Sequence, residues 1–304
     1  MPRFSFRKEV FSMRPAVRQN YPYHPHQPIF EKILDTYKEH RTDASPLFQG
    51  GVIFYGFHIN ALNENRIFVV PDGCLHLVVC CHKEHPSANI CGTIFKGRQG
   101  VFVRSDCEYF VICFMPGYAE FFLKYPIGEF SELEIPVQEV FPYSDELLEK
   151  IAEQSTFEGR IRAFEAFYLK HYRMGLEIPL LVKYLTEKII TIQGALNVKE
   201  LAEDTGYSNR YLLKSFEKFV GVSPKLLSRI VRFQNVIHSL EHKHYEQTLD
   251  RIFEMGYFDQ NHFIKEFKEF SFITPKKYIQ QIDPASTLAN GVEPPPAWQS
   301  KQRS

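Results

Sequence analysis

The sequence predicts an α+β protein with a β-rich N-terminal domain and an all-α C-terminal domain. Short runs rich in Val, Ile, Phe, Tyr and Cys, separated by turn residues, fill about residues 48–122. After residue 142 the spacing of apolar residues changes to that of helices. The C-terminal part also carries one helical pattern twice, as "GYSNRYLLKSFEKFVG" and as "GYFDQNHFIKEFKEF". This repetition predicts two copies of one structural unit.

The overall composition limits the partners that the chain can have. Its 304 residues, enough for about two domains, include 36 basic and 36 acidic side chains, so the formal net charge is zero. A nucleic acid or an anionic membrane would therefore have to meet a local patch of charge. No apolar run approaches the roughly 18 to 20 residues that span a bilayer, and "MPRFSFRKEVFSMRP" lacks the apolar stretch of a secretory signal. We expect a cytoplasmic protein without a membrane partner.

Changes in composition divide the chain into five segments. Five prolines in residues 1–28 predict an extended arm. Residues 29–142 have the pattern of a β-sandwich or barrel domain. Helical spacing over residues 143–173 predicts linker helices, and residues 178–282 form the all-α domain. The polar, proline-rich residues 283–304 predict a disordered tail.

The two C-terminal copies align at an offset of 51 residues. In each copy a glycine, Gly206 or Gly256, can adopt the positive φ of a tight turn. A helix-capping residue follows, Ser208 in the first copy and Asp259 in the second. About eleven residues at helical spacing complete each copy. Each copy is therefore predicted to be a helix-turn-helix unit.

The second helix of each unit carries amide and basic side chains on its outer face. Such side chains suit a recognition helix that reads base edges in the major groove. One solvated helix could show this pattern by chance, but here the pattern occurs twice. The candidate base contacts are Asn209, Arg210, Leu213, Lys214, Gln260, Asn261, Lys265 and Lys268. The candidate phosphate contacts are Lys218, Lys225 and Arg229.

Local charge differs between the units. Residues 207–238 hold six basic residues against one acidic residue, whereas residues 251–279 hold five against four. We therefore expect the first unit to be the stronger anchor on phosphate. Between the units, "PKLLSRIVRFQNVIHSLEHK" predicts a helix of about 18 residues, roughly 27 Å long. A connector of this stiffness can hold two recognition helices about 34 Å apart, in successive major grooves.

These residues resemble the AraC/XylS family of bacterial transcription regulators over about residues 178–281. The resemblance is carried by "LNVKELAEDTGYSNRYLLKSFEKFVGVSPKLLSRIVRFQNV" and "GYFDQNHFIKEFKEFSFITPKKY". It implies a regulator, not an enzyme, that binds double-stranded DNA and can contact RNA polymerase. By position, it places the base-facing residues at Arg210, Leu213, Lys214, Gln260, Asn261 and Lys265.

The second unit departs from the family pattern at two places. Arg251 and Ile252 stand where the family usually has Ile-Ala, so the first helix must shift or pack a large side chain at its crossing. Phe272 replaces the glycine that follows the recognition helix in the first unit. The exact docking of the second unit therefore does not follow from the resemblance.

The N-terminal half resembles the cupin-like sensory domain found in front of many such regulators. The similar stretches are "VVPDGCLHLVV" and "GVFVRSDCEYFVICFMPGYAEFFLKYPIGEFSE". The resemblance implies a barrel with flanking helices that binds a small effector or mediates dimerisation. Apolar helix surface predicts a homodimer through Glu146 to Tyr172. Candidate effector contacts are Tyr55, Phe57, His76 and Phe114, which could equally be ordinary core residues.

Six cysteines lie between residues 74 and 113, and we expect buried thiols rather than disulfides. Strand alternation places Cys74, His76 and Cys80 on one face as weak metal candidates. Without CxxC or HxH pairs, packing is favoured and no cofactor is predicted. Alternative signals for a regulator are protein contact and the metal or redox state of this cluster. A metal-dependent cupin enzyme and an alkyl-accepting DNA-repair protein are least favoured, because their ligand runs and paired cysteine spacings are missing.

Overall fold

The computed structural model describes residues 23–27, 36–59, 66–123, 125–172, 179–195, 198–242 and 245–282. Most of the predicted N-terminal arm and the whole predicted tail lie outside these residues. Within them, a β-rich N-terminal part is followed by an all-helical C-terminal part, as the sequence predicts. No helix in the described part of the chain is long and apolar enough to cross a membrane.

The described strands of the N-terminal part form two sheets. The strands are β1 (Thr36–Arg41), β2 (Val52–His58), β3 (Arg66–Val69), β4 (Leu75–Cys80), β5 (Ser87–Cys91), β6 (Arg98–Phe102), β7 (Glu108–Phe114) and β8 (Glu134–Pro136). Six strands form one sheet in the order β1-β2-β7-β4-β5-β8, and β3 pairs with β6. All of these pairings are antiparallel. The predicted sandwich is thus present in outline, but with most of its strands in one sheet.

Helices follow β7 along the chain, and β8 lies between the first two of them. They are α1 (Glu120–Leu123), α2 (Val137–Val140), α3 (Ser144–Ala152), α4 (Phe157–His171), α5 (Leu180–Thr191), α6 (Val198–Thr205), α7 (Asn209–Val220), α8 (Pro224–His242), α9 (Tyr245–Asp250), α10 (Gln260–Ser271) and α11 (Pro275–Ile282). A 3-10 helix spans Ile127–Phe130.

The large sheet has two different faces because side chains alternate along each strand. On one face, Phe54, Leu77 and Ile112 pack against the apolar stripe of α4. Phe164 on α4 is fully buried, and its ring centroid lies 5.6 Å from that of Phe54. On the other face, the small β3–β6 sheet covers a second apolar cluster that includes Phe57. The stripe of α4 therefore belongs to the chain's own core, which removes the argument for a homodimer through this helix.

The C-terminal part contains the two predicted units. α7 and α10 each have 12 residues and begin 51 residues apart. The glycines of both turns have positive φ, 70° at Gly206 and 84° at Gly256. α8 joins the units with 19 residues, close to the predicted length.

The two departures of the second unit have clear structural counterparts. α9 ends at Asp250, and Ile252 is buried in the turns that follow instead of lying at a helix crossing. Phe272 adopts the left-handed conformation with φ of 60° at the end of α10, where the first unit has Gly221. The ring of Phe272 meets that of Phe68 edge-on, with centroids 6.4 Å apart. This aromatic contact offsets part of the cost of a left-handed non-glycine residue.

Phe164→Ala should lower the free energy of unfolding of the N-terminal part by about 3 to 5 kcal/mol, because it leaves a large cavity between the sheet and α4. Chemical denaturation followed by circular dichroism measures this loss. Leu169→Ala on the exposed side of the same helix is the control and should change stability by less than about 0.5 kcal/mol. Equal losses for both variants would show that the outer face of α4 is buried in an assembly.

Candidate nucleic-acid interface

Both recognition helices begin at a side-chain cap. The Ser208 hydroxyl accepts a hydrogen bond from the Tyr211 backbone N–H at 3.3 Å. The Asp259 carboxylate accepts one from the His262 backbone N–H at 2.6 Å. Each cap satisfies an otherwise unpaired backbone donor and fixes where the helix starts. The helical phase that follows decides which side chains face outward.

The inner stripes of the two helices are buried at corresponding places. Leu212 and Phe216 face the core in α7, and Phe263 and Phe267 do so in α10. The eight predicted base contacts lie on the opposite faces and are all exposed: Asn209, Arg210, Leu213, Lys214, Gln260, Asn261, Lys265 and Lys268. Each unit thus presents one continuous surface of amide and basic groups. Donors and acceptors of this kind match base edges in a major groove.

Two of the three predicted phosphate contacts, Lys218 and Lys225, are exposed. The third, Arg229, is engaged within the protein. Its Nε lies 2.8 Å from Glu266 Oε2, and its Nη2 lies 2.8 Å from Glu269 Oε2. A guanidinium held by two carboxylates is not available to a phosphate, so we remove Arg229 from the DNA contacts.

The structure reveals an ion-pair network centred on Glu266. Its carboxylate is only 3% exposed and also accepts hydrogen bonds from Arg232, whose Nη2 lies 2.8 Å from Oε1 and 2.9 Å from Oε2. Arg232 Nη1 donates to the backbone oxygen of Gly256 at 3.2 Å, and its guanidinium lies 4.7 Å above the ring of Tyr257. The Glu266 network therefore ties α8 to both α10 and the turn of the second unit.

Sequence reasoning missed this network, although the signal was present. Glu266 stands at core spacing in α10, between the buried Phe263 and Phe267, where an apolar residue is expected. An acidic residue at such a place needs a buried cationic partner. Arg229 and Arg232 on α8 supply two.

The Glu266 network also redistributes charge between the units. Without Arg229 and Arg232, residues 207–238 keep four basic side chains against one acidic side chain. Once Glu266 and Glu269 are paired with the arginines of α8, residues 251–279 keep five basic side chains against two acidic side chains. Each unit is then left with a net charge of about +3, and the expected difference in anchoring strength disappears.

The N-terminal part contacts both recognition helices at their C-terminal ends. The Ser131 hydroxyl donates to the backbone oxygen of Gly221, which follows α7, at 2.5 Å. A Cβ added to Gly128 would lie 2.9 Å from the backbone oxygen of Glu217, so only glycine allows this close approach. At the other unit, Gly97 approaches the backbone oxygen of Phe270 in the same way. The predicted base-contacting faces remain exposed.

The four candidate effector residues are not brought together. Phe114 packs on the α4 side of the large sheet. Tyr55, Phe57 and His76 alternate with that side and lie on the opposite face. A pocket of about 430 Å³ opens elsewhere and is lined by Lys83, Pro86, Gln138, Asp145, Leu148, Glu149, Ala152 and Glu153. Strand parity alone excludes Phe114 from a site shared with the other three residues.

The expectation of free thiols is wrong for two cysteines. Cys80 and Cys107 form a disulfide, with their Cα atoms 6.3 Å apart. The pairing of β4 with β7 brings Cys80 opposite Tyr109, next to the start of β7, which a separation of 27 residues does not reveal. Cys80 is therefore lost as a metal candidate. Among the described residues, no group of three His, Cys, Asp or Glu side chains could hold a metal ion.

Comparison with known proteins identifies the C-terminal part. Residues 201–281 match a family model described as a helix-turn-helix domain, of the type found in AraC regulators. The resemblance to the AraC/XylS family is thereby confirmed for this part of the chain. No curated protein matches.

Solved structures give weak similarities. The C-terminal domain of AraT, a response regulator from Geobacillus stearothermophilus, is 22% identical, with a TM-score of 0.30 over 33% of this chain and 84% of that chain. ToxT from Vibrio cholerae is 13% identical, with a TM-score of 0.33 over 80% of this chain and 98% of that chain. The structure of ToxT bound to an unsaturated fatty acid is 12% identical, with a TM-score of 0.32 over 75% of this chain and 90% of that chain. At these scores, the similarities do not establish a shared arrangement of domains.

Glu266→Gln should lower the free energy of unfolding by about 3 kcal/mol, because it leaves two partly buried guanidinium groups with one carboxylate fewer. Glu269→Gln is the matched control on the same helix. It removes a more exposed partner and should cost less than about 1 kcal/mol. Thermal and urea unfolding of the two variants measure the difference. Equal costs would mean that Glu266 does not organise the contact between α8 and α10.

Proposed function

We propose, on the premise that residues 201–281 are an AraC-type helix-turn-helix domain, that this chain is a sequence-specific transcription regulator of double-stranded DNA. One observation carries the proposal. Two capped 12-residue helices, 51 residues apart, expose amide and basic side chains and share one 19-residue connecting helix. Such a regulator is normally not an enzyme, and RNA polymerase is the partner through which it would act.

The exposed side chains have distinct proposed roles. Arg210 in α7 has the geometry to donate two hydrogen bonds to a guanine, and Asn261 in α10 can pair with an adenine. Leu213, 40% exposed, offers an apolar contact to a thymine methyl group. Lys218 and Lys225 would contact phosphates and position the duplex without reading its sequence.

The connecting helix sets the distance between the two recognition helices. Its 19 residues correspond to about 28 Å, and the Glu266 network holds its first half against α10. This length suits two recognition helices placed about one turn of B-DNA apart. We propose that both enter successive major grooves on one side of the duplex.

The N-terminal part would control DNA binding through its contacts with both units. A ligand bound on the face of the large sheet that carries Tyr55, Phe57 and His76 would not contact Phe114, and it would have to displace part of the apolar cluster packed there. Moving this part relative to the units changes their spacing, and a coupling of about 1 to 3 kcal/mol is enough for regulation. Homodimerisation needs a surface other than the buried stripe of α4. Light scattering of the full chain with and without DNA measures the oligomeric state.

Arg210→Ala should weaken binding to a duplex selected from random sequence by about 5- to 150-fold, because it removes a base contact worth about 1 to 3 kcal/mol. Lys225→Ala should weaken specific and random duplexes alike and reduce the salt dependence by about one ion. Fluorescence anisotropy over a range of salt concentrations measures both. Arg162→Ala, at an exposed arginine of α4, is the control and should bind like the original chain. Loss of affinity in this control, or full affinity in Arg210→Ala, would contradict the proposed interface.

Inserting about five base pairs into the middle of the selected site should reduce affinity at least about tenfold, because half a helical turn rotates the second groove to the opposite side of the duplex. The same insertion beside the site is the control and should have no effect. Gel-shift titration and footprinting measure the change. A site that tolerates the central insertion would show that only one unit reads DNA.

A further inference from the structure

A compact cluster of two thiols, an imidazole and a carboxylate lies where the N-terminal part meets α8. Cys113 on β7 is the cross-strand partner of His76 on β4. His76 Nε2 lies 3.2 Å from Asp72 Oδ2. The Cys74 thiol lies 3.4 Å from the backbone oxygen of Asp72, and Cys74 and Cys113 are buried in the same core cluster. The order thiol, imidazole, carboxylate is that of an activated nucleophile with an oriented base.

The surroundings of Cys113 favour its reactive form. Burial raises the pKa of Cys113, but the hydrogen bond from Cys74 and the adjacent His76 outweigh it and lower the pKa to about 7. Burial lowers the pKa of His76, but Asp72 and Cys113 prevail and raise it, which favours the protonated imidazole. Burial raises the pKa of Cys91 to about 12. The thiolate is the nucleophilic form of cysteine. Cys113 differs from the other free cysteines because this form is favoured there near neutral pH.

Several hydrogen bonds connect this cluster to the DNA-binding part. Asp72 accepts from Tyr23 Oη and from Gln27 Nε2, both at 2.8 Å. The neighbouring His26 donates its backbone N–H to the side chain of Gln234 on α8 at 2.8 Å. Gln234 in turn donates to the backbone oxygen of Pro71 at 2.8 Å. Asp72 is therefore connected to the helix that joins both units through residues 23–27 and Pro71.

We propose that Cys113 and Cys74 form a reversible dithiol switch that responds to peroxide and alters DNA binding. Cys113 and Cys74 are themselves buried, at 0% and 1% exposure, so peroxide would reach them past His76, whose side chain is 17% exposed. The Cys113 thiolate attacks one oxygen of hydrogen peroxide, and the O–O bond breaks. The leaving hydroxide takes a proton from His76 and departs as water. Cys113 is then a sulfenic acid. The Cys74 thiol attacks its sulfur, a second water leaves, and a disulfide remains. In sum, one peroxide is reduced to two waters while two thiols are oxidised.

Oxidation must disturb the contact with α8. In the disulfide, Cys74 has no thiol hydrogen to donate to Asp72, and its sulfur is drawn toward Cys113. Asp72 supports Tyr23 and Gln27, so the packing of residues 23–27 against α8 changes with it. The inference deepens the proposed function, because the effect of oxidation on regulation rests on DNA binding. The oxidation of the two thiols does not depend on DNA binding.

The chemical test uses the reduced full chain treated with hydrogen peroxide and analysed by peptide mass spectrometry. We expect a Cys74–Cys113 disulfide in the original chain and, in Cys74→Ser, a Cys113 sulfenic acid that dimedone traps. Oxidation of Cys91 before Cys113, or an unmodified Cys113 in the original chain, would overturn the proposal. His76→Asn should slow oxidation of Cys113 at neutral pH by roughly tenfold or more and move its rate profile to higher pH, because less thiolate is present. An unchanged profile would leave His76 only a structural role and overturn the mechanism.

The regulatory test measures the affinity for the selected duplex before and after oxidation. The Cys80→Ser, Cys107→Ser background ensures that a thiol reductant acts only on the proposed pair. We expect oxidation to weaken binding at least about fivefold, and a reductant to restore it. The Cys91→Ser control should respond in the same way, whereas Cys113→Ser should not respond. Equal affinity in both states would overturn the switch, whereas failure to bind DNA in either state would contradict the proposed function and leave the thiol chemistry standing.

Discussion

The position of the second recognition helix depends on one buried carboxylate. Glu266 is enclosed by Arg229 and Arg232, so two cations on α8 hold one anion on α10. Ion pairs at such a depth add little net stability compared with apolar packing, but their geometry is directional. Arg232 also reaches the oxygen of Gly256, which links helix, turn and connector in one arrangement. The network therefore determines how the second unit faces DNA more than it determines whether the unit folds.

The helix α8 is shared by both units and by the N-terminal part. One side carries the arginines of the Glu266 network, and another packs Leu227 against Gly73, where a side chain would collide. Gly73 has φ of 72°, so glycine is required there for two reasons. Gln234 adds a buried hydrogen bond to Pro71. A single helix thus contacts the N-terminal part and also positions the second unit.

Sequence alone predicted the two units because their apolar spacing, turn glycines and caps are local features. Ser208 and Asp259 cap the helices at the expected places, and the outward faces follow from that phase. Other features depend on contacts distant in the chain. Strand pairing brings Cys80 close to Cys107, with which it forms a disulfide. The ion pair between Arg229 and Glu266 depends on the packing of the second unit against α8. The candidate effector residues failed as one group because strand parity depends on register, which the composition of a strand does not specify.

The contacts between the N-terminal part and the two units have free energies of a size that could control DNA binding. Each unit keeps a net charge of about +3 after internal pairing, so phosphate attraction alone does not favour one unit over the other. The N-terminal part contacts the end of the first recognition helix through the hydrogen bond from Ser131 to Gly221, and it contacts α8 through Gln234. A typical hydrogen bond contributes about 1 kcal/mol net. Losing two or three such bonds costs about as much free energy as losing one base contact. A change of this size in the placement of a unit is enough to alter specific binding.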